Sequence, residues 1–300
     1  MKNHQITQRQ NIRKALIMAT PAFVLLAMFF IGPALITVMY SMTNMTLTGA
    51  AAQNVKFVGL QNFQNLFKSR DMGTVVYNTM MFLLWSGIIG QQVLGLVLAL
   101  LLKRKARGVK MFVGFTVTSG WITPEAVAII MCSCLFDSKG TINTILGVFG
   151  IEPIRWLMKY SLVSIILSNI WKGCAYSMMM MQAALDNVPD DLMEAAKIDG
   201  ANYLQSLFRI TIPLIKDTLA TNFMIITLGT LGTTGLIYGL TGGGPGNTST
   251  TLSILMYKKS FVSFQIGYGM AISLIILVLG IVLSLVYTKL LNRKEKLQKL

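Results

Sequence analysis

The sequence predicts an all-α membrane protein with six transmembrane helices and both chain termini in the cytoplasm. Hydrophobic residues make up 54% of its 300 residues, charged residues only 12%, and the mean hydropathy is +0.62. Such a chain is too apolar for a soluble domain of this size. A membrane-spanning helix needs about 20 mostly apolar residues, and six runs reach that length without the two-residue alternation of barrel strands: 15–40, 76–102, 111–135, 161–185, 211–240 and 267–291.

The positions of the basic residues predict the topology. The net charge is +15, and lysine and arginine cluster at 2–14, 103–110 and 289–299, at the ends of apolar runs. By the positive-inside rule these clusters are cytoplasmic. The loops 53–70, 137–159 and 241–264 then face outwards and the loop 186–208 faces inwards. We expect one membrane domain, 15–292, between basic tails at 1–14 and 293–300, and no cleavable signal peptide, because the first run is too long for one.

The residue inventory argues against several functions. The basic residues follow the topology and form no aromatic-interleaved face, so we expect no nucleic-acid partner. His4 is the only histidine, and every aspartate lies in a loop or at the end of a run, so we predict no catalytic and no metal site. The glycine-rich segment 241–248 lacks the Gly-Lys-Ser/Thr ending of a phosphate-binding loop. We interpret that segment as a sharp turn before the sixth helix.

Small residues, prolines and methionines within the runs predict how the helices pack. Glycines at helical spacing permit close helix contacts, in the second run at Gly87, Gly90 and Gly95 and in the fifth at Gly229, Gly232 and Gly235. Prolines favour kinks or breaks, at Pro33, Pro124 and Pro213. The methionines 178–181 favour core packing over metal binding. Leu60, Phe63, Leu66 and Phe67 predict a short amphipathic helix before the second run.

Polar residues within the runs are candidates for a solute pathway. Glu125 in the third run and Lys172 in the fourth are charged groups that must face protein or water. Their positions are compatible with an ion pair between them or with a role in lining a pathway, and the sequence does not decide between the two. Other polar residues could contact a solute or could bond neighbouring helices: Asn169, Tyr176, Asn222 and Thr227.

The inner loop 186–208 predicts a helix of its own. Pro189 suits a first turn, Asp190 and Asp191 complement the positive end of the helix dipole, and Gly200 suits a left-handed stop. Ala195 and Ala196 keep one surface thin, which favours docking against another protein, although a solvated loop helix fits the same residues.

This loop resembles a motif of a known family. Glu194-Ala195-Ala196, Asp199-Gly200-Ala201 and Ile212-Pro213 are similar to the EAA loop of permease subunits in ATP-binding-cassette importers. Further segments resemble the sugar and glycerol-phosphate permeases of the maltose-permease type and extend the similarity over nearly the whole chain: 58–63, Asn78-Thr79, 140–143, Trp171-Lys172-Gly173, 240–245 and 264–271. Ile212 replaces the usual leucine, and Met131-Cys132 stand where the family often has a tryptophan, which weakens any transfer of solute contacts from the third run.

The resemblance implies a non-catalytic permease half of a carbohydrate importer in the inner membrane of a prokaryote. It implies as partners a second permease, two ATPase subunits that hold ATP and magnesium, and an extracytoplasmic solute-binding protein. It assigns ATPase coupling to Glu194, Ala195, Ala196, Asp199 and Gly200, and the re-entry direction of the chain to Pro213. A stand-alone secondary transporter or channel is the alternative; it usually shows inverted repeats, and none is evident.

Overall fold

The computed structural model describes residues 16–103 and 105–298, and within this part the chain is helical and has no strand. The predicted tail 1–14 lies outside the described residues, as do Arg104 and residues 299–300. The helices are α1 (Leu16–Ser41), α2 (Gln61–Lys68), α3 (Met72–Lys103), α4 (Arg107–Ile122), α5 (Glu125–Phe136), α6 (Thr141–Val148), α7 (Ser161–Asp186), α8 (Asp190–Ile198), α9 (Lys216–Gly232), α10 (Gly235–Thr241), α11 (Leu252–Tyr257) and α12 (Ile266–Gln298). Two compact units divide the chain, one of residues up to 67 together with 258–274, and one of residues 68–257 together with those from 275.

In the first unit, the segment after α1 is held by backbone and amide hydrogen bonds. The side chain of Asn62, on α2, donates to the carbonyl oxygens of Ser41 and Thr43, both at 2.8 Å. The amide of Gly267 donates to Met45 O at 2.9 Å. These bonds explain why the polar side chain of Asn62 is buried. The short helix predicted before the second run is confirmed as α2, on which Leu66 is buried and Phe67 is exposed.

Several apolar helices have the length and composition of membrane spans. Within the described residues, α1, α3 and the Ile266–Lys289 part of α12 qualify alone, and two bent pairs, α4 with the Glu125–Val148 segment and α9 with α10, raise the number to five. The 26-residue α7 is long enough but more polar, so six spans stay a prediction. The third run bends by 104° before Glu125, which confirms the kink predicted at Pro124, and the fifth run bends by 46° before Gly235, where no proline predicted a break.

The second unit contains a polar layer between two apolar clusters. One cluster includes Phe82, Ile165 and Leu236, and the other includes Leu102 and Met181. The buried polar side chains between them come from the middle of α3, α7 and α9: Ser86, Gln91, Gln92, Asn169, Ser177, Asn222, Thr227 and Thr230. Met178 and Met181 are 1% and 0% exposed, which confirms the packing interpretation of the methionine run.

Glycines allow α3 and α7 to approach closely. A methyl group at Gly95 would collide with Ser177, and one at Gly90 would collide with Ile170. The predicted packing role is therefore confirmed for the second run. It is wrong for Gly229 and Gly232 of the fifth run, where a methyl group would meet nothing within 4 Å.

The glycine-rich segment is a folded loop that leads into α11. Gly242, Gly243 and Gly246 have φ of +60°, +83° and +59°. Asn78, on α3, donates to the carbonyl oxygens of Asn247 (2.8 Å) and Thr250 (3.2 Å). The sharp turn predicted before the sixth helix is present, and α11 and the π-helical turn Lys258–Val262 lie between it and α12.

Candidate functional site

A cavity of about 350 Å³ opens in the second unit beside the polar layer. Its walls come from α3, α4, α5, α7, α9 and α10, with the apolar side chains Ile225, Ile226 and Leu236 on one side. Its polar and aromatic lining residues are Gln91, Trp121, Glu125, Asn169, Lys172, Tyr176, Thr230 and Thr233. Four of the six residues predicted for a solute pathway are thus brought together: Glu125, Asn169, Lys172 and Tyr176.

The break at Pro124 places Glu125 at the start of a helix rather than within a span. Pro124 has φ −53° and ψ 141°, which ends α4 because proline supplies no amide donor and the residue before it disfavours the helical conformation. Glu125 Oε1 then accepts a hydrogen bond from the backbone N–H of Leu236, at 3.0 Å. A methyl group at Gly235 would lie 2.5 Å from Glu125 Oε2, so glycine is required for this approach. The two broken helices meet at this carboxylate.

Lys172 lines the same cavity but makes no ion pair there. Among the described residues, no carboxylate lies within 4.0 Å of the Lys172 ammonium. Of the two arrangements that the sequence left open for Glu125 and Lys172, the structure shows both residues lining one cavity and no direct contact between their charges.

An aromatic pair forms part of the cavity wall. The rings of Trp121, at the end of α4, and Tyr176, on α7, have centroids 5.9 Å apart and planes inclined by 42°. Trp121 is 45% exposed. Sequence reasoning missed Trp121 because it lies in an apolar run where a tryptophan is unremarkable; its position three residues before Pro124 was the available signal.

An amide network holds the floor of the cavity. The side chain of Asn169 donates to Ser86 Oγ, and Gln91 Nε2 lies 3.5 Å from the same oxygen. The glutamine side chain lies against Gly173, where a methyl group would collide with it. Gln91 was also missed, since a glutamine within an apolar run resembles any interhelical hydrogen-bonding residue.

The structure does not bring Asn222 and Thr227 to the cavity. Asn222 is fully buried and its Nδ2 donates to Gln92 Oε1 at 2.7 Å. Thr227 Oγ1 bonds to Phe223 O at 2.6 Å and lies 3.0 Å from the hydroxyl of Tyr287. The sequence left open whether these two residues contact the solute or form hydrogen bonds between helices, and the structure shows hydrogen bonds between helices.

The helix expected in the inner loop is present as α8, with Pro189 at its N-cap and Asp190 and Asp191 in its first turn. It ends in a Schellman motif, in which Ala201 N–H donates to Ala196 O (2.9 Å) and Gly200 N–H to Lys197 O (3.0 Å). Gly200 has φ +79°, a conformation that favours glycine. The left-handed stop is confirmed.

The two alanines of α8 do not share one surface. Ala196 is 5% exposed and packs inwards, whereas Ala195, Glu194 and Asp199 are exposed. The expectation of a thin face made by both alanines is therefore wrong. Pro213 lies in the short helix Ile212–Leu214, which follows the π-helical turn Leu207–Thr211 and precedes α9.

Exposed apolar side chains that the sequence did not predict lie at the end of α8 and in the segment after it. Ile198 is 86% exposed, and Leu204 and Phe208 are 61% and 64% exposed. The turn between them is rigid, because Asn202 and Gln205 form a reciprocal capping box with bonds of 2.8 and 2.9 Å. Large apolar side chains that lie together on a protein surface are typical of a protein interaction site.

Apolar helices around a polar cavity, with an ordered helix on the connecting loop, define a membrane transport subunit. The family model described as the binding-protein-dependent transport system inner membrane component matches residues 91–296. The chain belongs to this family, the permease subunits of ATP-binding-cassette transporters.

Individual relatives cover most of the chain. The sulfoquinovosyl glycerol transport system permease of Agrobacterium fabrum is 28% identical over 94% of this chain and 91% of its own length. The trehalose/maltose transport system permease of Thermococcus litoralis is 31% identical over 78% of this chain and 79% of its own. A chain of a bacterial alginate transporter, solved in complex with an alginate pentasaccharide-bound periplasmic protein, has a TM-score of 0.78 at 22% identity, with 96% of each chain covered, and so shares the fold.

Proposed function

We propose that this chain is one of two permease halves of an ATP-driven carbohydrate importer, and that the cavity described above is its share of the solute pathway. The observation that carries the proposal is the cavity itself, where Glu125, Lys172 and Asn169 stand beside the Trp121–Tyr176 pair. Aromatic faces and groups that bond hydroxyls are what a polyhydroxylated ring requires. The relatives named above for sulfoquinovosyl glycerol and for trehalose or maltose support the same solute class.

The chain supplies the pathway, and the chemistry takes place on its partners. We infer a second, different permease that completes the cavity, a solute-binding protein at the outer side, and two cytoplasmic ATPases that hold ATP and magnesium. ATP binding and hydrolysis then shift the two halves between outward-open and inward-open states, as differential binding to two states allows. This assembly places the chain in the inner membrane of a prokaryote.

We assign the contact with the ATPase to α8 and the segment that follows it. Glu194, Ala195 and Asp199 are exposed there, and the Schellman motif at Gly200 fixes the direction in which the chain leaves α8. Ala196 anchors the helix from its inner side. The exposed Ile198, Leu204 and Phe208 provide the apolar area that a stable contact needs. Pro213 then directs the return of the chain into α9.

Substitution of Gly200 tests this assignment. Gly200→Val should abolish ATP-dependent uptake while the complex stays in the membrane, because valine cannot adopt φ +79° without strain. Gly49→Val is the matched control, since Gly49 also has φ +79° and open surroundings but lies in another loop. Normal uptake by Gly200→Val would refute the coupling role. Uptake that persists in purified vesicles without ATP would instead favour a stand-alone transporter.

A further inference from the structure

We propose that the solute carries a negative charge, and that Lys172 is the residue of this chain that recognises it. The inference rests on the proposed function, which makes the cavity a solute pathway, and it narrows carbohydrates to saccharides that bear a carboxylate, sulfonate or phosphate group. It arises from a difference between the two charged residues of the cavity, Glu125 and Lys172.

The negative charge in the cavity already has a partner. Glu125 accepts the N–H of Leu236 at 3.0 Å, and its carboxylate fills the space beside Gly235. That amide sits in the first turn of α10, where backbone donors lack intrahelical acceptors. Glu125 therefore completes the protein's own hydrogen bonding and holds two helix ends together.

The positive charge has no such partner. Lys172 is half-buried on α7, one helical turn before Tyr176, and among the described residues no carboxylate lies within 4.0 Å of its Nζ. An ammonium at this depth needs water or an anion to balance its charge. An anionic group of the solute would form a charge-assisted hydrogen bond with it, which is stronger than a bond to a neutral hydroxyl.

The surroundings of Lys172 suit a saccharide ring that bears such a group. Trp121 and Tyr176 offer ring faces on one side, and Ile225 and Ile226 form an apolar wall. The carbonyl and amide groups of Gln91 and Asn169 supply donors and acceptors at the floor. A sugar ring could stack on the aromatic pair while its acidic substituent reaches the ammonium.

A second cavity has more basic than acidic side chains in its lining. It measures about 620 Å³ and is lined by Arg155 and Lys159 against a single carboxylate, Glu152. No ion pair within 4.0 Å joins these three side chains in the described structure. The three loops predicted to face outwards together contain eight basic residues and two acidic ones. Fixed positive charge on the entry side attracts anions and raises their association rate.

Uptake by the complete transporter tests the proposal. The complex would be reconstituted in lipid vesicles with ATP inside and its binding protein outside, and supplied with uronic-acid oligosaccharides of two to four sugars or with neutral oligosaccharides of the same lengths. We expect the wild type to take up the acidic series at least about tenfold faster, the equivalent of one charge-assisted bond.

Variants of Lys172 show whether this residue is responsible for the preference for acidic over neutral saccharides. Lys172→Gln should reduce uptake of the acidic series about tenfold more than uptake of the neutral series and should raise the KM for the acidic series, while Lys172→Arg should keep the preference for acidic saccharides. Lys110→Gln is the matched control, because Lys110 forms a surface pair with Asp186 and does not line the cavity. The amount of assembled complex in the vesicles would be measured for each variant.

The possible outcomes separate this proposal from the proposed function. A wild-type preference for the neutral series, or an equal loss of both series in Lys172→Gln, would overturn the charge recognition and leave a carbohydrate importer in place. Failure of both series to enter, with no saccharide-dependent ATP hydrolysis, would overturn the proposed carbohydrate function itself.

Discussion

The carboxylate of Glu125 accepts a hydrogen bond from the backbone N–H of Leu236 at 3.0 Å, across 111 residues of sequence. Each residue stands just after a break in an apolar run, one bent by 104° and the other by 46°. The bond supplies an acceptor for an amide that the break of the second helix leaves without one. Two interruptions that would each expose backbone groups are therefore stabilised together.

A Glu125 variant that loses the carbonyl-type acceptor Oε1 should be less stable than the wild type, whereas a variant that keeps this acceptor should be about as stable. We expect Glu125→Ala to lower the free energy of unfolding by about 1 kcal/mol, since water in the cavity can replace part of the bond. Glu125→Gln keeps Oε1 and should unfold close to the wild type. Thermal unfolding of the purified complex measures both, with Glu152→Ala as the control, because among the described residues the Glu152 carboxylate accepts no comparable backbone hydrogen bond. Equal destabilisation by alanine and glutamine would show that charge, and not the acceptor, is required.

Close packing of α3 on α7 should make Gly95 intolerant of a single methyl group. Gly95→Ala forces a collision with Ser177 and the backbone of Met178, and we expect a loss of about 1–3 kcal/mol. Gly114→Ala on α4 has open space around it and should be neutral or slightly stabilising. Chemical unfolding in detergent compares the two variants; a Gly95→Ala protein as stable as Gly114→Ala would contradict the packing described for these helices.

The amide pair in the polar layer should show strong coupling between its two residues. In the described structure Asn222 Oδ1 and Gln92 Nε2 lack partners, and the bond from Asn222 Nδ2 to Gln92 Oε1 satisfies one polar atom of each side chain. Asn222→Leu alone should cost about 1–3 kcal/mol by leaving the Gln92 amide buried and unbonded. The double variant Gln92→Met/Asn222→Leu should recover most of that loss. A double-mutant cycle of unfolding free energies measures the coupling, and simple additivity would refute it.

Burial of Lys258, in the π-helical turn before α12, should make stability depend on pH in the alkaline range. Burial disfavours the charged ammonium and lowers the pKa of Lys258 from 10.5. Between the lowered pKa and 10.5 the unfolded chain binds more protons than the folded chain, so stability rises with pH there. Below the lowered pKa the cost of the half-buried charge remains in full.

Replacement of Lys258 by an apolar residue tests whether the lysine charge lowers the stability of the folded protein. Lys258→Met should be more stable than the wild type at pH values below the lowered pKa, and the alkaline rise should shrink. Unfolding temperatures from pH 7 to 10 measure the effect, with Lys68→Met at an exposed helix end as the control. A Lys258→Met protein that loses stability at neutral pH would contradict the prediction.

Local sequence signals predicted the local structure well. Pro189 and Gly200 mark the bounds of α8 because an N-cap and a left-handed stop depend on nearby backbone geometry alone. The glycines of α3 were interpreted correctly as packing sites. The same spacing failed at Gly229 and Gly232, because periodicity shows which residues share a face and does not show what lies opposite that face.

Tertiary contacts were the part that one sequence could not supply. Pro124 indicated the first break, but hydropathy continues through Thr233 without a proline, so the second break was hidden within an apolar run. The sequence identified Glu125 and Lys172 as charges that must face protein or water. It could not show that Glu125 has a hydrogen-bond partner in this chain and that, among the described residues, Lys172 has no ion-pair partner, because the partner of Glu125 is Leu236, 111 residues further along the chain. Asn222 and Thr227 had the composition of pathway residues and proved to bond neighbouring helices.

The loop held by Asn78 has a consequence for topology mapping. Ser249, Thr250 and Thr251 are 0%, 0% and 2% exposed although all three are polar and lie between helices. A cysteine placed at any of them would stay unlabelled by water-soluble maleimides added from either side of the membrane. Accessibility scanning would then record this loop as lipid-embedded, when its protection comes from the protein that surrounds it.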